Sequence, residues 1–236
     1  MLWYYLLMEK EFITISKPVD TIIWDLDGTI LNSLEISIVI WQSVLTQHGF
    51  SMPSEVEVSN NYHGSLEDTA RGLAPSASDD QIRQLLDDFL KIDNTSIKDA
   101  DRHLYEDAVD LSRRAHTKGL RQILVTNRAH GVDRGNASPR TLIEGSRLSD
   151  YIDKVICGDE VAERKPSKNV IADILMEGSK PIVIGDQFVD AQFAVNLGCS
   201  AILVNRHSDK TNHLDKLGDI DKSVIHLVDS LHQVII

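Results

Sequence analysis

The chain is expected to form an α/β fold, a parallel sheet layered between helices, with a block of helices inserted after the first core strand. Three observations lead there. Short apolar, β-branched runs alternate with helical spacing from residue 106 onward, and such alternation builds βαβ units around a sheet covered on both faces. Residues 33–105 carry helical spacing and no convincing strand. Polar residues gather just where three apolar runs stop, which is where open α/β sheets bind ligands.

Taken in order, Leu2-Trp3-Tyr4-Tyr5-Leu6-Leu7-Met8 is apolar but far short of the ~20 residues that cross a bilayer. No basic stretch precedes it and no small-residue cleavage site follows, so residues 1–18 are expected to be a frayed or surface-packed extension. Thr21-Ile22-Ile23-Trp24 is a buried-strand run. Leu34, Ile38, Trp41 and Leu45 recur at helical spacing, and Gly49 stops that helix. Ser65-Leu66-Glu67-Asp68 resembles a capping box, and Ser78 opens a helix with Ile82, Leu85, Leu86 and Phe89 on one face. Glu106–Lys118 is expected to be a helix ending at Gly119, and Arg121–Val125 a strand ending at Thr126-Asn127. A helix follows from Ser138-Pro139 to about Arg147, then a brief strand at Val155–Cys157 and a helix from Ser167 to about Met176. Pro181–Ile184 is a strand ending at Gly185-Asp186, Val189–Leu197 a helix stopped by Gly198, and Ala201–Val204 a strand. Val224–Ile236 is expected to give a last strand and a docking helix. The organisation is thus an extension (1–18), an α/β core (19–32 and 106–236) and an α-helical insert (33–105).

The 42% hydrophobic and 25% charged residues are ordinary for a globular protein. Lys and Arg number 24 against 36 Asp and Glu, a net charge of −12. That balance excludes nucleic acid and anionic membranes as partners, since both need a basic face. Two cysteines, Cys157 and Cys199, are too few for a disulfide framework and lack metal-ligand spacing, which suits a reducing, cytoplasmic setting.

Asp25 and Asp27, Thr126 and Asn127, and Asp186 with Asp190 stand at three strand exits and are expected to converge. Carboxylates in one cleft repel unless a cation sits among them, and oxygen-rich sites suit Mg²⁺. Two carboxylates two residues apart on a turn can serve as nucleophile and proton donor if their environments separate their pKa values. Gly28 permits positive φ there, and Lys165, between Arg164 and Pro166, can supply a fixed positive charge.

Asp25-Leu26-Asp27-Gly28-Thr29, Thr126-Asn127, Lys165-Pro166 and Gly185-Asp186-x-x-x-Asp190 resemble, in order, the four motifs of the haloacid dehalogenase-like phosphohydrolases. The resemblance implies a Rossmann-like core whose Asp25 attacks phosphorus to form an aspartyl-phosphate. It implies that Asp27 protonates the leaving oxygen and then activates water. It further implies Mg²⁺ held by the Asp25 carboxylate, the Asp27 main-chain carbonyl and Asp186, with Asp190 supporting the metal or orienting Lys165. Thr126, Asn127 and Lys165 would grip the phosphoryl oxygens. Such a set is needed because a carboxylate about 4 Å from a phosphate dianion meets roughly 8 kcal/mol of repulsion at an effective dielectric near 20.

The helical insert resembles the small cap of the phosphoglycolate phosphatase-like branch, and His63-Gly64-Ser65-Leu66-Glu67-Asp68-Thr69 resembles its cap loop. Related phosphonate hydrolases carry a lysine and sugar phosphomutases an arginine where Leu66 stands. Dehalogenases lack the second aspartate of the first motif, so Asp27 speaks against them. The expected activity is hydrolysis of a small phosphorylated metabolite, phosphoglycolate-like or a sugar phosphate, by a monomer or homodimer; pyrophosphate and nucleoside monophosphates are the rival substrates. A non-catalytic binding protein on the same fold is the other class, and the intact Asp25, Asp27, Lys165, Asp186 and Asp190 weigh against it. Residues 128–134, after the second motif, form a polar stretch near the expected mouth of the site and are expected to be either a contact for the non-phosphate end of the substrate or a solvated loop.

Overall fold

The computed structural model describes residues 12–15, 18–62, 65–96, 100–131, 138–206 and 222–236. Leu2–Met8, His63, Gly64 and residues 132–134, singled out above, lie outside the described residues. In chain order the strands are β1 (Ile13–Thr14), β2 (Thr21–Trp24), β3 (Arg121–Val125), β4 (Lys154–Ile156), β5 (Pro181–Gly185), β6 (Ser200–Val204), β7 (Ile225–Val228) and β8 (Val234–Ile235). The helices are α1 (Ser33–Gln47), α2 (Glu55–Asn61), α3 (Leu66–Leu73), α4 (Asp79–Ser96), α5 (Glu106–Thr117), α6 (Pro139–Glu144) and α7 (Phe188–Leu197).

Six strands form one parallel sheet in the order β4-β3-β2-β5-β6-β7. Successive residues of β2 bury on opposite faces, which is why the strand shows no polar alternation. Ile22 and Trp24 join a cluster with Leu124, Ile184, Leu111 and Ala115, whereas Ile23 joins Ile123, Val183 and Phe193. Gln122, fully buried, is satisfied by the Trp24 indole at 3.0 Å, the Ser112 hydroxyl at 2.8 Å and the Ser112 carbonyl at 2.9 Å.

Strand order reverses at β2: the chain runs outward to β3 and β4 on one side and to β5, β6 and β7 on the other. That reversal opens a crevice at the carboxyl ends of the central strands. Trp24 pairs in register with Leu124 and Ile184, and the Asp25 amide donates to the Ile184 carbonyl at 2.8 Å. The exits of β2, β3 and β5 therefore lie side by side.

Helices α1–α4 pack on one another above this end. Their shared interior holds Ile40, Trp41, Leu45, Val58, Ile82, Leu85 and Phe89, with the Trp41 and Phe89 rings 4.6 Å apart. Ser54 with Glu57 and Ser65 with Asp68 form complete capping boxes that start α2 and α3. The two chain crossings into and out of this block are tied together. Asn32 N–H donates to the His103 carbonyl at 2.8 Å, Tyr105 N–H to the Ile30 carbonyl at 2.9 Å, and the Tyr105 hydroxyl to Asn32 Oδ1 at 3.0 Å.

Several expected elements differ in extent. The helix after Ser138 stops at Glu144 rather than Arg147, because Gly145 follows. After Ser167 only a 3₁₀ turn forms, Lys168–Val170; two adjacent β-branched residues, Val170 and Ile171, favour helix poorly and both pack into the sheet. The expected docking helix at the C-terminus is a 3₁₀ turn, Leu231–Gln233, followed by β8. The β-branched run Val234-Ile235-Ile236 favours a strand. β8 pairs in parallel with β1, so part of the stretch expected to be an extension belongs to the fold. No helix among the described residues is long and apolar enough to cross a membrane.

One buried ion pair joins the C-terminal half to the first motif. Arg206 donates to Asp107 at 2.7 Å and to the Thr29 carbonyl at 2.8 Å, and its guanidinium lies 3.9 Å from the Tyr105 ring centre. Burial pushes the Asp107 carboxyl up, but the bonds from Arg206, Ser230 and the Leu231 amide outweigh it and hold the group below its ordinary value. Arg206→Ala strands a buried carboxylate and is expected to cost about 3–5 kcal/mol, lowering Tm by on the order of 10 °C in thermal unfolding. A carboxyl with a depressed folded pKa stabilises above its unfolded value of 3.8 and loses that contribution as pH falls below it. The gap between wild type and variant should therefore narrow in strong acid.

Candidate active site

Each central strand delivers its polar residues as it runs out of partners. Asp25 follows β2 directly and is 8% exposed. The turn behind it closes tightly, with Gly28 N–H donating to the Leu31 carbonyl at 2.9 Å. Gly28 sits at φ +79°, and a Cβ there would collide with the Asp186 carboxylate. Glycine thus meets both a conformational and a space requirement at this position. Thr29 donates its hydroxyl to Asp186 Oδ1 at 3.2 Å, joining the exits of β2 and β5.

Lys165, 6% exposed, is the centre of the arrangement. Its Nζ donates to Asp25 Oδ1 at 2.6 Å and to Asp190 Oδ1 at 2.7 Å. Burial opposes the lysine charge, but Asp190 and Asp25 outweigh that and hold its pKa above the ordinary value. The other Asp190 oxygen accepts from the Gln187 amide at 3.1 Å, closing the capping box of α7. Asp190 is therefore turned to Lys165 and its own helix. Burial, eased by Lys165 and reinforced by Asp190 and Asp27, pushes the Asp25 carboxyl up to about 7. Asp186 is raised well above its ordinary value by burial, then by Asp25 and Asp190.

Asp25, Asp186 and Asp190 each place a carboxylate oxygen within 4.8 Å of the others. Burial disfavours the charged forms of Asp25 and Asp186, Lys165 reaches Asp25 and Asp190, and a divalent cation would favour all three ionised; hard oxygen donors suit such an ion. A second grouping, His130, Cys157 and Glu160, has the same spread. Its Glu160 oxygens both accept from Arg140, at 2.6 and 2.8 Å, and burial pushes the Cys157 thiol up to about 12. The carboxylate there already has its cation.

Thr126, 3% exposed, stands at the exit of β3 and accepts from the Arg128 amide at 3.1 Å. The Asn127 side chain braces Lys165, its Nδ2 donating to the Lys165 carbonyl at 3.2 Å and its Oδ1 accepting from the Lys165 amide at 3.1 Å, and the residue lines the cavity at the exit of β3. The six acidic and polar residues of the first, second and fourth motifs and Lys165 thus converge at one place, from segments up to 165 positions apart in sequence.

Two contacts here escaped the sequence reading. Arg128, expected at the mouth of the site, is not solvated: its side chain is 12% exposed and grips Asp27 through two bonds, Nε to Oδ2 at 3.0 Å and Nη2 to Oδ1 at 2.6 Å. Its Nη1 lies 3.9 Å from Asp93 of α4. The available signal was a carboxylate on an apolar stripe, since Asp93 falls one helical turn beyond Phe89. A cavity of about 620 Å³ spans the two layers, lined by Asp25, Asp27, Lys165 and Arg128 below and by Tyr62 and Leu66 above. That size suits a small metabolite.

Comparison with known proteins agrees with this geometry. Residues 22–204 match the family model described as haloacid dehalogenase-like hydrolase. The chain is 27% identical over 201 residues to a phosphoglycolate phosphatase of Vibrio vulnificus, covering 78% of this chain and 83% of that protein. It is 25% identical over 181 residues to pyrophosphatase PpaX of Bacillus pumilus, covering 74% and 77% respectively. In fold it is similar to the crystal structure of a putative phosphoglycolate phosphatase from Lactobacillus delbrueckii, with a TM-score of 0.72 and 20% identity over 91% of this chain and 95% of the other. With the motifs in order, their side chains gathered at one crevice and the family model spanning most of the sequence, the chain belongs to the haloacid dehalogenase-like hydrolases.

Proposed function

We propose that this chain is a Mg²⁺-dependent phosphatase that hydrolyses a small phosphorylated metabolite through an aspartyl-phosphate on Asp25. The observation that carries the reading is Lys165, buried between Asp25 and Asp190 at 2.6 and 2.7 Å on the floor of the cavity. A buried lysine that neutralises one carboxylate while another fixes its position is what an acidic nucleophile needs in order to approach a phosphate.

In the first half-reaction an Asp25 oxygen forms a bond to phosphorus as the ester P–O bond breaks. Asp27 gives its proton to the leaving oxygen. In the second half-reaction Asp27 takes a proton from water, whose oxygen attacks phosphorus, releasing phosphate and restoring Asp25. Lys165 and the Thr126 hydroxyl hold the phosphoryl oxygens. Asn127 contributes by bracing the Lys165 backbone, and Asp190 by aiming the Lys165 ammonium. The Asp25 and Asp186 carboxylates and the Asp27 main-chain carbonyl would hold Mg²⁺, with Asp190 behind them, and the ion would supply positive charge against the phosphoryl oxygens. Helices of residues 33–105 act as a cap that shields the site from water and selects the substrate.

Phosphoglycolate and sugar phosphates are the first substrates to test. The likeness to PpaX makes pyrophosphate the second. A panel of these compounds, nucleoside monophosphates and 4-nitrophenyl phosphate, assayed for phosphate release with Mg²⁺, is expected to show turnover of the aryl ester and marked preference for one small metabolite. Absence of turnover across the panel would point to a binding protein instead.

A further inference from the structure

We infer that Arg128 is a positioning residue that links the inserted helices, through Asp93, to the proton-transfer group Asp27. The inference deepens the phosphatase reading and rests on Asp27 as the proton donor of that reading.

Three segments meet at one guanidinium. Asp27 comes from the turn after β2, Arg128 from the loop after β3, and Asp93 from α4 in the insert. The Nε and Nη2 atoms form one edge of the guanidinium and take both Asp27 oxygens, at 3.0 and 2.6 Å. That fork fixes the plane of the carboxylate as well as its place, which a point charge cannot do. The opposite edge, through Nη1, faces Asp93 Oδ2 at 3.9 Å. The side chains of Arg128 and Asp93 are 12% and 5% exposed, so solvent screens little of this interaction. Asp93 continues the apolar stripe of Ile82, Leu85 and Phe89, where an ionised group needs a cation nearby. All three residues line the cavity.

The fork is complementary to the ionised carboxylate. Asp27 takes that form as its proton passes to the leaving oxygen, and it starts from that form when it draws a proton from water. Arg128 thus stabilises charge that develops on Asp27 during bond cleavage. Asp93 sets where the fork stands, so the placement of α4 is felt at Asp27 although α4 supplies no group to the reaction.

Leaving-group dependence tests this. The 4-nitrophenolate group departs without a proton, whereas an alkoxide needs one. kcat/KM would be measured on 4-nitrophenyl phosphate and on the best alkyl monophosphate of the panel, with thermal unfolding to check the fold. Arg128→Ala and Asp93→Asn are expected to lose roughly 10- to 100-fold on the alkyl ester and under about threefold on the aryl ester. Arg128→Lys, which keeps the charge but not the fork, should fall between Arg128→Ala and wild type. The double variant should be no worse than Arg128→Ala alone. Asp27→Asn provides the reference. If it shows no bias toward the alkyl ester, the reading of Asp27 fails and the inference with it. If Asp27→Asn shows the bias but Arg128→Ala or Asp93→Asn loses equally on both esters, or gains on the alkyl ester, the inference alone is overturned. Losses that multiply in the double variant also overturn it.

Discussion

Asp25→Asn is expected to abolish turnover, lowering kcat by at least roughly 10⁴-fold, while leaving the fold intact. The amide matches the carboxyl in size but is no nucleophile toward phosphorus. The neighbouring groups retain their order: Lys165 keeps Asp190 at 2.7 Å, and Asn127 keeps both bonds to the Lys165 backbone. Stability separates this expectation from simple unfolding. Burial raises the Asp25 carboxyl from 3.8 to about 7, so across that window the folded chain holds a proton that the unfolded chain releases. Stability supplied by this site therefore falls as pH rises from about 4 to 7, and the neutral amide escapes the loss. In metal-free buffer at pH 8 the variant should melt at or above the wild-type temperature; near pH 3 the two should coincide. Steady-state assays on 4-nitrophenyl phosphate and thermal melts at the two pH values check both halves. A variant within tenfold of wild type would remove Asp25 from the nucleophile's role.

Six residues of the candidate site were legible because they are announced locally. Asp25, Thr126 and Asp186 follow apolar runs directly, with Asp27, Asn127 and Asp190 within four residues of them, and parallel topology brings such exits together whatever lies between them. Lys165 was legible only through its motif, since nothing near it in sequence says that Asp25 and Asp190 will flank its ammonium. Where the partner is remote, composition misleads. Arg128 has the look of a surface arginine until Asp27, 101 positions earlier, takes its fork. Arg206 likewise lacks any local sign that Asp107 and the Thr29 carbonyl await it. The same limit applies to backbone. The pairing of Ile13-Thr14 with Val234-Ile235 joins the two ends of the described chain, and no periodicity reports such a contact. The helix expected after Ser167 failed for a tertiary reason as well, because Val170 and Ile171 pack on α7 and the sheet face.

Removal of divalent cations with excess EDTA is expected to lower turnover by roughly 10³-fold or more, with recovery on adding Mg²⁺. Electrostatics at the crevice sets the sign. With Asp25, Asp186 and Asp190 ionised, Lys165 balances one carboxylate of three; a pair of like charges 4 Å apart repels by about 4 kcal/mol at an effective dielectric near 20. The structure relieves this by raising Asp25 to about 7 and Asp186 well above the ordinary range, in each case through burial first. A cation must therefore displace protons, and its binding should strengthen with pH until Asp25 has titrated. At 100 times its dissociation constant a ligand adds about 2.7 kcal/mol of stability, or roughly 5–10 °C in Tm for a chain of this size. The rise in Tm on adding saturating Mg²⁺ should thus be clear at pH 8 and much smaller at pH 5.5. Asp186→Asn should lose it at both, because Asp186 shares the acidic group with Asp25 and Asp190 and its amide cannot replace an anionic ligand. Equal shifts at the two pH values, or an undiminished shift in Asp186→Asn, would place the cation somewhere other than between these carboxylates.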